Sequence, residues 1–424
     1  MATTTRLVRP PTWGTGLAGY RGTPRTRIPA SIQQLVNSEK IILDLLKDIY
    51  GLASQDIASF DVIRQACSDI TGHLSDSGRV MVRVKTTDGC QDSYHWFVKL
   101  MPVQHQNNNL TQNFDVFRNE IEFYSNIAPG LRAFLRESNV GDDIKVDVPE
   151  LLYSQEDDKR AIIVLPDLIH EGYKQERDDN GSRYLSREKA IIAVKSLARI
   201  QATSAALQMK TNLDIERQHP SLAESGAFWT NPDMSSRLMM MKDVFCEYLR
   251  GSGGVDVDSL LERFNNKFSS QEELQELCRE RYDVGEDSIK CLQHGDFHFN
   301  NLLYKEEEEG VYSVMIVDWQ LSYCGRSAGD LSYLLQSSVD PHMMELGENT
   351  IKEKYFETFT DTLVLLSGRC EEVTAVLEED YQKSLPLAFF FSCGNVMQGD
   401  KTGEQRKQEF AFQLCKEAAG RSLI

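Results

Sequence analysis

Nowhere does the sequence approach the ~18 consecutive apolar residues of a membrane-spanning helix. Its longest apolar run, Leu385 to Phe391, is short and carries Pro386. No cysteine pair forms CxxC although nine cysteines are present, so neither a zinc ribbon nor a dithiol redox site is indicated. Their odd number and wide scatter (Cys67, Cys90, Cys246, Cys278, Cys291, Cys324, Cys370, Cys393 and Cys415) fit a reducing compartment, simplest read as cytoplasmic. Positive charge is scarce: 46 Lys+Arg against 64 Asp+Glu leave a net −18. That balance speaks against non-specific nucleic-acid binding and against attraction to anionic membranes. It leaves open an anion held at a local basic site or through a metal. Acid is missing in turn from residues 1–38, where Arg6, Arg9, Arg21, Arg25 and Arg27 stand among Thr, Gly and Pro. Pro10, Pro11 and Pro24 interrupt any helix there. Residues 1–30 are expected to form a flexible basic arm, with an Arg-rich mitochondrial transit segment as the alternative.

What remains is an ordinary globular composition, 41% apolar and 26% charged over 424 residues. That length suits two to three domains or one large two-lobed fold. Ile32, Leu35, Val36, Ile42, Leu45, Leu46 and Ile49 recur at helical spacing, so a helix is expected over about 31–50. Val80, Val82 and Val84 alternate with polar residues as in a half-buried strand, Thr87-Asp88-Gly89 signals a turn, and Tyr94 to Leu100 reads as the returning strand. Phe114 to Ile127 reads as a helix stopped by Pro129-Gly130, and Ala161 to Leu165 as a short apolar strand. From about 185 the pattern turns helical, with surface helix over 256–285. The exception is one hairpin, Leu302-Leu303-Tyr304 with Val314 to Val317. Its acidic tip, Glu306 to Glu309, reads as a solvated turn.

Chemistry concentrates in His294-Gly295-Asp296-Phe297-His298-Phe299-Asn300-Asn301 and, after the hairpin, Val317-Asp318-Trp319-Gln320. Paired strand ends lie ~5 Å apart, so the hairpin brings Asn301 and Asp318 to one point. Amide and carboxylate oxygens suit a hard cation such as Mg²⁺, which takes few protein ligands and completes its shell with phosphate oxygens. Asp296 stays free beside that cation to receive or orient a hydroxyl, the division of labour of phosphoryl transfer. His294 and His298 with Asp296 lack a suitably spaced third histidine for zinc, and His294 reads as a structural histidine. Asp330 is expected to cap the helix Leu331 to Leu335 and tie the catalytic loop.

His-Gly-Asp-x4-Asn, a hairpin and an Asp-aromatic pair together resemble the small-molecule kinases of the aminoglycoside phosphotransferase and choline kinase group. The likeness is closest to the ecdysteroid kinase-like (CHK kinase-like) branch. Trp96 to Pro102 is similar to that branch's lysine strand, Phe117 to Tyr124 to its glutamate helix, and Asp167-Leu168 with Gly172-Tyr173 to the segment past the hinge. Leu197 to Ala202 resembles its first large-lobe helix, and Asp318 through Asp330-Leu331 its metal-aspartate segment. The resemblance implies an α+β, protein kinase-like fold: a small antiparallel-sheet N-lobe over 31–165 and a larger, mainly helical C-lobe over 166–424. It implies ATP and Mg²⁺ as cofactors and a small-molecule alcohol as acceptor, with steroid alcohols as one class. Lys99 would hold the α- and β-phosphates, paired with Glu120, for which Glu122 is a competitor. Asn301 and Asp318 would hold the metal, and Asp296 would serve the acceptor hydroxyl. Asp167 would belong to the nucleotide site.

The sequence also departs from the branch. The phosphate-loop candidate, Thr71 to Gly78, has Gly72 and Gly78 but no GxGxxG, leaving only backbone amides to cap phosphates. Pro166 stands where an acidic residue is usual, Gln201 where His is common, and His298 where the branch has Trp. These departures favour the alternative of a pseudokinase or nucleotide-binding interaction module. The short span from Asp318 to Asp330, with no Ala-Pro-Glu after it, leaves no room for a peptide-docking activation loop. The expected activity is therefore phosphorylation of a hydroxyl on a small organic molecule, choline- or aminoglycoside-like acceptors being a further option.

Overall fold

The computed structural model describes residues 28–65, 76–101, 116–141, 144–157, 160–176, 184–282, 284–285, 288–368, 372–398 and 404–424. The chain enters through α1 (Ile32–Val36) and α2 (Glu39–Tyr50). These are two helices rather than the expected one, because the chain leaves helical geometry at Ser38, which is extended. Ser31 caps α1 by accepting from the Gln34 N–H, and the Ile32 N–H donates to Asp76 Oδ2 at 2.9 Å. Ile28, inside the expected arm, is 1% exposed, and its carbonyl accepts from Arg160. Residues 1–27 of that arm lie outside the described residues.

Five strands follow: β1 (Ile57–Gln65), β2 (Asp76–Thr86), β3 (Gln91–Leu100), β4 (Tyr153–Glu156) and β5 (Ala161–Pro166). They form one antiparallel sheet in the order β1-β2-β3-β5-β4. Alternation along β2 and β3 divides the work between faces. Val80, Val82, Val84, Trp96, Val98 and Leu100 pack under Ile32, Leu35, Ile42, Leu45 and Leu46 of the entry helices. Each such side chain, fully buried, contributes about 1.5–3 kcal/mol. The opposite face carries Ser77, directly across from Lys99, and Arg79, across from Phe97.

Between β3 and β4 run α3 (Val116–Glu122), a π turn (Phe123–Ile127) and α4 (Ala128–Glu137). Pro129-Gly130 does not stop the helix as expected. Pro129 falls in the first turn of α4, where a missing N–H is tolerated, and the helix continues to Glu137.

The rest is mainly helical. It begins with β6 (Lys174–Gln175), then α5 (Arg187–Thr211), α6 (Ile215–Gln218), α7 (Pro220–Trp229), α8 (Pro232–Gly251), α9 (Val257–Lys267) and α10 (Gln271–Tyr282). Next come β7 (Lys290–Gln293), β8 (Leu302–Glu308), β9 (Val311–Ile316) and β10 (Tyr323–Arg326). It closes with α11 (Gly329–Ser338), α12 (Pro341–Ser367), α13 (Val373–Gln398) and α14 (Glu404–Gly420). The expected hairpin is β8–β9, with β6 added beside β8. A second pair, β7 with β10, was not expected; its strands are short and flank the catalytic loop. By length and composition α5 alone among the described helices could cross a membrane, yet 72% of its apolar window is buried inside the protein. Apolar residues of α3, α4, α5, α11 and α12 share one core with the strands around the loop.

Candidate active site

The loop from β7 to β8 takes its shape from one carboxylate behind it. Asp330, fully buried in the first turn of α11, accepts the N–H of His294 at 2.6 Å and of Gly295 at 3.1 Å. Gln201 donates to the same carboxylate at 3.1 Å, and Arg281 approaches it at 3.5 Å. The Tyr355 hydroxyl donates to the Gln201 amide oxygen, so the residue standing in place of a histidine is part of this scaffold. His294 bridges the two halves of the site. Its Nδ1 accepts the Asp296 N–H at 3.2 Å, and its Nε2 faces the Val317 carbonyl at 2.9 Å, which puts the ring proton on Nε2. Burial lowers its pKa, in keeping with a neutral structural ring.

Beyond it, Asn301 contacts Asp296, and Asp318 follows the residue that pairs with Asn301. Asn301 Nδ2 donates to the Asp296 carbonyl at 2.8 Å and lies 3.4 Å from Oδ2 of its carboxylate. The Val317 N–H donates to the Asn301 carbonyl at 3.0 Å, which sets Asp318 beside Asn301. Asp318 itself takes left-handed backbone angles (φ 67, ψ 59) as the chain turns into Trp319–Leu321. Burial would raise the Asp296 carboxyl, but contacts first with His298 and then with the Asn301 amide bring it down to about 2. Asp296 is thus an ionised acceptor at neutral pH.

Lys99 reaches this cluster from the sheet. Its Nζ donates to both Glu120 oxygens, at 2.9 and 2.7 Å, and to Asp318 Oδ1 at 2.7 Å. Burial alone would lower the lysine's pKa; Asp318 and Glu120 outweigh it and raise it, so the ammonium stays charged. Glu122, the competing glutamate, is engaged elsewhere, with His219 Nδ1 2.6 Å from its Oε1.

The helix bearing Glu120 is clasped to the Asp318 segment by residues that the sequence did not single out. Asn119 Nδ2 donates to the carbonyls of Gln320 and Ser322, at 3.1 and 2.8 Å. Phe123 stacks on Trp319 with centroids 4.0 Å apart.

Residues 71–368 match the ecdysteroid kinase-like family. The chain belongs to that family. That family is one of kinase-like small-molecule phosphotransferases. No curated protein is matched. Among solved structures, Plasmodium vivax ethanolamine kinase is similar at 15% identity over 92% of this chain and 91% of that one, with a TM-score of 0.40. The GDP complex of an aminoglycoside 2'-phosphotransferase-IIIa mutant is similar at 12% identity over 91% and 98%, TM-score 0.40. A type VIII aminoglycoside-3'-phosphotransferase is similar at 16% identity over 88% and 97%, TM-score 0.30.

In this ecdysteroid kinase-like chain, two other expected nucleotide residues, Gly78 and Asp167, are placed differently. Gly72 lies between β1 and β2, outside the described residues. Gly78 lies within β2, and a side chain there would meet Ile32 at 3.2 Å, on the face opposite Lys99. Asp167 does not present its carboxylate to the cleft. Arg79 Nε donates to both its oxygens at 2.9 Å, and one oxygen also accepts the N–H groups of Ile169 and His170. Its carboxylate holds the turn after β5 together. Tyr381, Phe389 and Phe390 are core, and Phe391 is half-buried.

The donor set fits Mg²⁺. Asp318 already carries a cation, the Lys99 ammonium, and Asn301, which pairs through its backbone with the residue before Asp318, offers an amide oxygen. Among the described residues no cluster of three or more His, Cys, Asp or Glu side chains makes an all-protein metal cage. A site of one carboxylate and one amide is what a cation shared with phosphate oxygens requires.

Proposed function

We propose that this chain is an ATP- and Mg²⁺-dependent phosphotransferase acting on a hydroxyl of a small organic molecule, steroid alcohols being the first acceptors to test. The observation that carries this reading is that Lys99 joins Glu120 to Asp318, while Asn301, bonded to Asp296, pairs through its backbone with Val317, the residue before Asp318. Asn301 and Asp318 would hold Mg²⁺, which when bound neutralises phosphate charge. Lys99 binds phosphate oxygens and is kept charged and aimed by Glu120. Asp296 takes the proton of the acceptor hydroxyl. The hydroxyl oxygen forms the new bond to the γ-phosphorus while the bond to the β-phosphate bridging oxygen breaks, and ADP leaves with that electron pair. Positioning and charge supply the rate, with no covalent enzyme intermediate. Cysteines that are free among the described residues support a reducing, cytoplasmic setting.

The test is a thermal-shift series with ATP, with and without Mg²⁺, joined to ADP release over a panel of alcohols. The reading expects stabilisation that depends on Mg²⁺ and release that depends on an alcohol. A chain showing neither is a non-catalytic interaction module instead.

A further inference from the structure

Asp296 offers two carboxylate oxygens, and the loop treats them differently. Asn301 Nδ2 lies 3.4 Å from Oδ2, and His298 Nε2 lies 3.4 Å from the same oxygen. Both nitrogens approach the same oxygen, Oδ2. The Asp296 side chain nevertheless keeps 30% of its surface exposed, so solvent reaches it.

The backbone holds His298 in place for this contact. Its N–H donates to the Asp296 carbonyl at 3.1 Å, and its own carbonyl accepts the Asn301 N–H at 2.9 Å. The imidazole is 13% exposed and is boxed edge-on by Phe299 at 5.8 Å and by Tyr333 of α11 at 6.1 Å. The ring is therefore fixed by the same helix that carries Asp330, the residue that shapes the loop.

A carboxylate rotates about a broad, nearly two-fold χ2, so a single donor leaves its two oxygens poorly distinguished. Two donors on one oxygen remove that freedom. We propose that His298 is a positioning residue for Asp296: with Asn301 it holds Oδ2, so that Oδ1 is the oxygen turned to the acceptor hydroxyl and receives its proton. The proposal rests on the phosphotransferase reading. It requires a ring N–H at Nε2, which the imidazolium and the Nε2-protonated neutral tautomer supply.

The test compares wild type, His298→Leu and His298→Gln, the last placing an amide donor near the position of Nε2. Mg²⁺-dependent ADP release gives kcat and KM for ATP, and the thermal shift with MgATP reports binding separately. His298→Leu is expected to lower kcat about 10-fold to 100-fold, the effect of losing one hydrogen bond to a charged group. KM for ATP and the MgATP shift should stay within about twofold, and His298→Gln should restore most of kcat. A wild-type kcat in His298→Leu overturns the proposal. So does an equal loss in both variants, or a loss of the MgATP shift, since each points to packing rather than to the donor. A wild-type chain without Mg²⁺-dependent turnover overturns the phosphotransferase reading, and the proposal with it.

Discussion

Nζ of Lys99 stands 2.7 Å from Oδ1 of Asp318 and holds Glu120 on its other side, joining strand, helix and post-hairpin turn through one ammonium. The Glu120 side chain is 1% exposed, so removing the lysine leaves a buried carboxylate without a counter-ion. Lys99→Met should therefore cost about 3–5 kcal/mol in urea unfolding and abolish nucleotide turnover. Adding Glu120→Met should recover most of the stability but none of the activity. A double variant as unstable as Lys99→Met would show that the pair does not explain the loss.

Asn119 adds the second tie between the same elements. Its amide is fully buried and serves two carbonyls that water does not reach. Asn119→Ala leaves both without that donor and should destabilise the fold by about 1–3 kcal/mol. Because Glu120 is the next residue, KM for ATP should rise as well. A stability loss with unchanged KM would separate this clasp from the nucleotide site.

Strand periodicity made β2, β3 and β5 legible, and spacing placed Asp296, Asn301 and Asp318 together, because those signals are local. Lys99 with Glu120 was reachable only through family resemblance, since neither residue's neighbours distinguish it from Glu122 or from a surface lysine. β1 was missed because its burial is sparse; β4, β7 and β10 are too short to show alternation. Asn119 carried no signal at all, as its partners are backbone carbonyls on a distant segment. Arg79 reads as a solvated strand residue until the fold sets it against Asp167.

Gly295 and Gly310 both have positive φ, at 86° and 75°, but only the first is crowded. A Cβ at Gly295 would lie 2.2 Å from the Leu321 carbonyl oxygen, which is backbone and has nowhere to go, whereas Gly310 faces open space. Gly310→Ala should cost only the left-handed penalty, about 1–2 kcal/mol, with turnover unchanged. Gly295→Ala must also move the loop or the Asp318 turn, and should lose more stability together with activity. Thermal midpoints of the two variants side by side check this; equal losses would contradict the close approach.

His219 ends α6 and starts α7, and its Nδ1 lies 2.6 Å from Glu122 on the helix that carries Glu120. Burial raises the Glu122 carboxyl, but the hydrogen bond and charge of His219 more than offset this, and the net shift is downward. A folded pKa below the unfolded value of ~4.3 means stabilisation that is complete above that value and lost as pH falls through the depressed one. With the Glu122 side chain 29% exposed, the contribution should be about 1 kcal/mol or less. The gap in thermal midpoint between wild type and His219→Ala should therefore hold steady from about pH 6 to pH 5 and narrow below about pH 4. A gap that stays constant through that range would assign the His219 effect to packing of α7 alone, with no part played by the charge of Glu122.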